Sequence, residues 1–165
     1  MQAFDRALDF VLAREGGYSF DKFDPGGETK YGICKRFHQD LDIKNLTIKQ
    51  AAEIYRKEYW DPMDCDQLPY WAALAVFDSA VNMGRNHAIT CLAKTARMEG
   101  TTKLTTELAR VIRLMEPEDG LADYLSYRLI RYAALPGWQR YGRGWAKRCA
   151  YLAMEAFSDR SKAVA

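Results

Sequence analysis

Two acids in one short stretch are the residues of this chain best placed to do chemistry. Glu15 is followed at once by Gly16-Gly17, and a second acid, Asp24, opens the tight-turn sequence Asp24-Pro25-Gly26-Gly27. One acid closes a helix and the other sits in a glycine-built loop, so two carboxyl groups close in sequence can face each other across a cleft. The chemistry within reach of such a pair is general acid catalysis with a second carboxylate opposite. Asp21 and Glu28 are rivals for the second position, although Glu28 beside Lys30 reads more naturally as a solvated pair. A plainer reading makes Glu15 an exposed helix-end residue paired with Arg14 or Lys22.

The elements that must hold these acids are legible on either side. Phe4, Ala7, Leu8 and Val11 recur at helical spacing, so Asp5 to Arg14 reads as one amphipathic helix with Glu15 on its last turn. That end of a helix dipole is negative and opposes ionisation of a carboxyl. Partial burial would act in the same direction, and both effects raise the pKa toward the range a proton donor needs. Gly16 and Gly17 provide the helix stop. Thr29, Tyr31 and Ile33 alternate as a short strand would.

Glu15-Gly16-Gly17-Tyr18, then Asp24-Pro25-Gly26-Gly27-Glu28-Thr29-Lys30-Tyr31-Gly32-Ile33, closely resembles the catalytic region of glycoside hydrolase family 108. These are peptidoglycan muramidases that include phage endolysins and secretion activator proteins. Phe77-Asp78-Ser79-Ala80-Val81-Asn82-Met83-Gly84 resembles that family's second signature. The resemblance implies a mainly α, lysozyme-like helical fold with a small β-hairpin or irregular loop after the first helix. It implies Glu15 as the catalytic acid that protonates the bond being cut. Asp24 and Thr29 fall near the Asp and Thr that hold the attacking water in phage-type lysozymes, with Thr29 one residue closer to the Asp than there. Inversion of the anomeric centre follows from the same likeness. Glycoside hydrolysis needs these residue types, because one acid protonates the leaving oxygen while a second group meets the oxocarbenium-like centre from the other side. Tyr18 and Tyr31 are candidate sugar-stacking rings, or packing residues of the hairpin.

The rest of the chain reads as helices. Thr47-Ile48-Lys49-Gln50 is a capping box opening a helix to about Tyr59, stopped by Asp61-Pro62. Pro69 suits a helix start, and Leu74, Phe77 and Val81 form the buried stripe of a helix ending at Gly84. Further helices are expected over 86–98, 102–115, 121–134 and 138–157. Asp78 and Asn82 lie one turn apart, either as substrate hydrogen-bonding groups at the back of the cleft or as a helix-end polar network. Residues 1–92 form the muramidase-like region, and 93–165 resemble a helical peptidoglycan-binding segment packed on it as one compact unit.

A chain of 165 residues with 48% hydrophobic content can bury the core of about one domain. The longest apolar run, Tyr70 to Phe77, is too short to span a bilayer, and the N-terminus lacks the pattern of a cleaved signal peptide. Cys34, Cys65, Cys91 and Cys149 are scattered without metal-ligand spacing and read as free thiols, and His38 and His87 are isolated. Neither a metal site nor a cofactor is expected. Met1 to Asp66 carries ten Lys and Arg against thirteen Asp and Glu, whereas residues 121–165 carry eight against three. In that basic end Arg140, Arg143, Lys147 and Arg148 interleave with Trp138, Tyr141, Trp145 and Tyr151, which suits a solvated helix face, an anionic wall polymer or nucleic acid. The reading that joins these features is a monomeric lysozyme-type muramidase acting on bacterial peptidoglycan, with no nucleic-acid partner. It would be made in the host cytoplasm as a phage or prophage endolysin and act on the wall after release. The alternative is a wall-binding or secretion-associated module without catalysis.

Overall fold

A computed structural model describes residues 2–20 and 27–158. It is mainly α, with seven α-helices and one small sheet among the described residues. Helix α1 (Ala3–Glu15) buries Phe4, Ala7, Leu8, Phe10 and Val11 and ends at Gly16, whose φ of 78° is open to glycine at little cost. Strands β1 (Ser19–Phe20), β2 (Glu28–Lys30) and β3 (Ile33–Cys34) then form an antiparallel sheet in the order β1-β2-β3. The expected single strand through Thr29, Tyr31 and Ile33 is therefore two strands. Lys30 pairs with Ile33, leaving Tyr31 and Gly32 as a two-residue turn with φ of 53° and 74°. Two consecutive positive φ values suit the twist of a tight hairpin, which outweighs the alternation of side chains.

Helix α2 (Ile48–Tyr55) opens at the expected capping box, where Gln50 N donates to Thr47 Oγ1 at 3.3 Å and Thr47 N donates to Gln50 Oε1 at 2.9 Å. Its α-helical bonding stops at Tyr55 and gives way to a π-helical turn over Arg56–Trp60, then a 3-10 turn over Asp61–Met63. Pro62 has no N–H to carry the ladder onward. Helix α3 (Tyr70–Met83) is the axis of the molecule. Every residue from Trp71 to Ala80 is buried, so the expected stripe is in fact a helix covered on all sides. Helices α1, α4 (Arg85–Thr95), α6 (Pro117–Ala133) and α7 (Trp138–Ala156) all pack on it. Helix α5 (Thr106–Leu114) starts four residues later than expected, because Thr105 accepts from Leu108 N at 3.1 Å and caps it there. Helix α6 starts four residues earlier, at Pro117 with Glu118 and Asp119 in its first turn, a start signal the apolar periodicity concealed.

An aromatic cluster joins the elements beneath the cleft. Phe4 meets Trp60 at 5.3 Å, Trp60 meets Phe77 at 5.5 Å, and Tyr55 meets Phe77 edge-on at 6.1 Å between ring centroids. Cys65, Cys91 and Cys149 are buried free thiols, whereas Cys34 is half-buried. Among the described residues no helix is long and apolar enough to cross a membrane.

Gly120 sets how closely α6 approaches α3, because a Cβ there would lie 2.6 Å from the Trp71 ring. Glycine-to-alanine changes inside a helix ordinarily stabilise by roughly 0.5–1 kcal/mol. Here overpacking reverses the sign, and Gly120→Ala is expected to destabilise by about 1–3 kcal/mol in urea unfolding.

Candidate active site

Glu15 is the last residue of α1 and lines a cleft of about 470 Å³ together with Cys34, His38, Tyr55, Glu58 and Tyr59. Its side chain is 21% exposed. The Oε1 atom accepts from Arg148 Nη2 at 2.8 Å, while Oε2 has no hydrogen-bond partner among the described residues. The expected Arg14 pairing is not formed. Arg14 instead lies over the Phe10 ring at 3.5 Å and donates to the Phe10 carbonyl at 2.6 Å. Gly32, at the β2–β3 turn, closes on the carboxyl so tightly that a Cβ would sit 3.0 Å from Oε2 and 2.7 Å from Tyr55 Oη. The Tyr55 hydroxyl in turn donates to the Tyr31 carbonyl at 2.7 Å, fixing the hairpin to α2.

Behind Glu15 runs a chain of polar contacts into the core. Arg148 Nε donates to Asp78 at 2.9 Å, and Arg128 Nη1 donates to the same carboxylate at 2.6 Å. Arg128 also donates to the Tyr132 hydroxyl at 2.9 Å, and Tyr132 donates to Asn82 Oδ1. Asp78 and Arg128 are both fully buried. Burial alone would push the Asp78 carboxyl up, but the Arg128 and Arg148 guanidiniums outweigh it and hold it below the ordinary range. Burial likewise opposes the Arg128 charge, and Asp78 more than restores it. Of the two readings of Asp78, the polar network is the one formed: both its oxygens are taken by arginines, and it does not face the cleft. Asn82, one turn on, belongs to the same network and opens to grooves beside Trp145 rather than to the cleft.

The other sequence-selected residues are dispersed around this centre. Thr29 is half-buried in β2 directly opposite Cys34, so its side chain shares the sheet face of a cleft-lining residue. Tyr18 is exposed and its hydroxyl donates to Glu28 Oε1 at 2.8 Å. Lys30, expected beside Glu28, donates instead to the Lys44 carbonyl at 2.9 Å. Tyr31 is half-buried in the turn. Asp24, with Asp21 and Lys22, lies outside the described residues.

Sequence reasoning missed four contributors. Glu58, Tyr55 and Tyr59 come from one face of α2 and its π turn, at spacings of three and four that were there to be read. Burial, and after it the Glu15 carboxylate, pushes the Tyr55 phenol up; burial, then Glu58 and Glu15, does the same for Tyr59. Both hydroxyls therefore stay neutral donors at the cleft wall. Arg148 is the fourth, brought from α7, and no local pattern announces its contact with α1.

Residues 8–84 match the model of the family described as Glycosyl hydrolase 108. That segment spans Glu15, the sheet, α2 and α3, and stops short of Arg128 and Arg148. No match was found among curated proteins. The solved structure of Brucella abortus SagA is similar over nearly the whole molecule, with a TM-score of 0.80 at 27% identity, covering 93% of this chain and 92% of that one. The lysozyme-like fold class expected from the sequence therefore holds for the C-terminal helices as well as for the matched segment.

Two outcomes follow for stability. Asp78→Asn leaves Arg128 buried without its counter-charge and is expected to lower the unfolding free energy by about 3–5 kcal/mol. Because the folded Asp78 pKa is depressed, its contribution is present above the unfolded value of about 3.9 and fades as pH falls through the lower folded value. Wild-type stability measured by urea titration should thus drop below about pH 4, and Asp78→Asn should show a shallower acid limb. Gly32→Ala forces a left-handed conformation on a residue with a side chain and should cost at least about 1–2 kcal/mol in the same assay.

Proposed function

From a chain whose residues 8–84 carry the glycosyl hydrolase 108 signature, we propose a peptidoglycan N-acetylmuramidase that cleaves the β-1,4 bond between N-acetylmuramic acid and N-acetylglucosamine. One observation carries this reading: a carboxyl in a cleft wall with one oxygen anchored by Arg148 and the other unpartnered among the described residues. Anchoring fixes the direction of the free oxygen, and positioning of this kind is a major part of catalytic rate.

In the proposed reaction the proton on Glu15 Oε2 passes to the glycosidic oxygen as the bond to the anomeric carbon breaks, so the leaving sugar departs as an alcohol. Water adds to the oxocarbenium-like centre and gives its proton to a second carboxylate. Asp24, with Thr29 holding the water, is the assignment the family resemblance supports. Among the described residues Glu58 is the other carboxylate in the cleft wall, where the raised Tyr59 phenol lies within the field of both Glu58 and Glu15. Tyr18 and Tyr31 remain proposed sugar-stacking rings. The biological setting that fits best is an endolysin made in the host cytoplasm and released to the wall, acting as a monomer.

Digestion of purified peptidoglycan followed by mass spectrometry of reduced fragments tests the reading. Reducing muramic ends are expected, and Glu15→Gln should slow their release by about 10²–10⁴-fold while wall binding persists. Reducing glucosamine ends, or a wall left intact by the wild type, would refute it. Equal wall binding by both proteins with no cleavage by either would mark a binding module.

A further inference from the structure

A second groove of about 280 Å³ lies between the end of α1 and α7, with Arg148 in its lining. Arg14, Asn82, Trp145, Lys147, Arg148 and Tyr151 line it. Its charge is unbalanced. Arg148 is satisfied by Glu15 and Asp78, but neither Arg14 nor Lys147 has an acidic partner within ion-pair distance among the described residues. The Arg14 Nε atom is buried without a hydrogen-bond partner. Burial is the main cause that pushes the Arg14 guanidinium down; Asp78 and Glu155 oppose it and Arg148 adds to it, so an anion in the groove would support a partly desolvated charge.

The aromatic lining is ordered around these cations. The exposed Tyr151 ring has the Arg14 guanidinium 5.2 Å and the Lys147 ammonium 5.3 Å from its centroid. Trp145 is held flat against Tyr132, 4.9 Å apart and 17° from parallel. Two cations with no ion pair among the described residues, beside aromatic rings and an exposed amide, make a site for a carboxylate attached to an organic chain. The groove is linked to the proposed catalytic acid, since Arg14 precedes Glu15 in the chain and Arg148, which lines the groove, donates to Glu15.

We propose that this groove binds the carboxylate-bearing stem peptide of the wall polymer while the glycan lies in the Glu15 cleft. The proposal rests on the muramidase reading, because it is the muramic sugar beside the scissile bond that carries a peptide branch. The volume is near the lower end for a ligand pocket, roughly 300 Å³ upward, and suits a short branch better than a second glycan strand. A nucleic-acid backbone would call for a longer track of cations. Arg140 and Arg143, the other basic residues of α7, do not line the groove, and Arg140 lies over Tyr141.

Equilibrium titration of the full chain, followed by tryptophan fluorescence at low salt, tests this with three probes: a disaccharide muropeptide bearing its stem peptide, the same disaccharide without the peptide, and a short DNA duplex. The peptide-bearing probe should bind about tenfold more tightly than the peptide-free one, a difference that shrinks with salt. Lys147→Glu should abolish most of that preference and Lys147→Arg should retain it, with both variants unfolding at the wild-type temperature because Lys147 is exposed. Equal affinity for the two disaccharides, an unaltered preference in Lys147→Glu, or tighter binding to DNA would overturn the proposal. The measurement needs no turnover, so a protein that leaves walls uncut yet shows the preference would defeat the muramidase reading alone.

Discussion

Arg148 donates to the Glu15 and Asp78 carboxylates at once, and the rest of the architecture depends on that bridge. A guanidinium can do this because its donors form a rigid planar fork, whereas an ammonium is a single point of charge. One arm reaches a fully buried acid and the other a carboxyl at the wall of a cleft. The buried end is costly to desolvate and is kept charged only because Arg128 approaches the same carboxylate from α6. The stability of the core and the orientation of the candidate proton donor are thus two consequences of one ionic network.

The surrounding elements serve the geometry of that bridge. Helix α3 supplies Asp78 from a stretch buried on every side, so the anchor has little room to move. Gly32 presses the hairpin turn against the free side of Glu15, and Tyr55 ties the same turn to α2. Helix α7 contributes Arg148, which lines the basic groove and donates to Glu15 at the cleft wall. A chain ending at the family-matched segment, 8–84, would lack both arginines of the network.

What could be read in advance was what is local. The α1 stripe, the Gly16 stop, the Thr47 capping box and the run of C-terminal helices depend on residues a few positions apart, and each is present within a few residues of its expected bounds. The tight turn at Tyr31-Gly32 was misread because alternating side chains look alike in one strand and in two. The site was legible only in part. Glu15 stood out by its motif, but its partner is 133 residues away in sequence, and nothing near Asp78 announces the two arginines that hold it. Long-range ion pairing is decided by how helices stack, and no spacing rule within one helix encodes it.

The central claim is that Arg148 positions Glu15 for proton transfer. Its most direct test is the steady-state kinetics of Arg148→Lys on soluble glycan strands, beside thermal unfolding of the same protein. Lysine keeps the charge but lacks the rigid planar fork that fixes Glu15 against Asp78, so kcat should fall by about 10–100-fold with KM little changed and the fold intact. A folded Arg148→Lys protein with wild-type kcat would contradict the claim, because the bridge would then have no part in placing the acid.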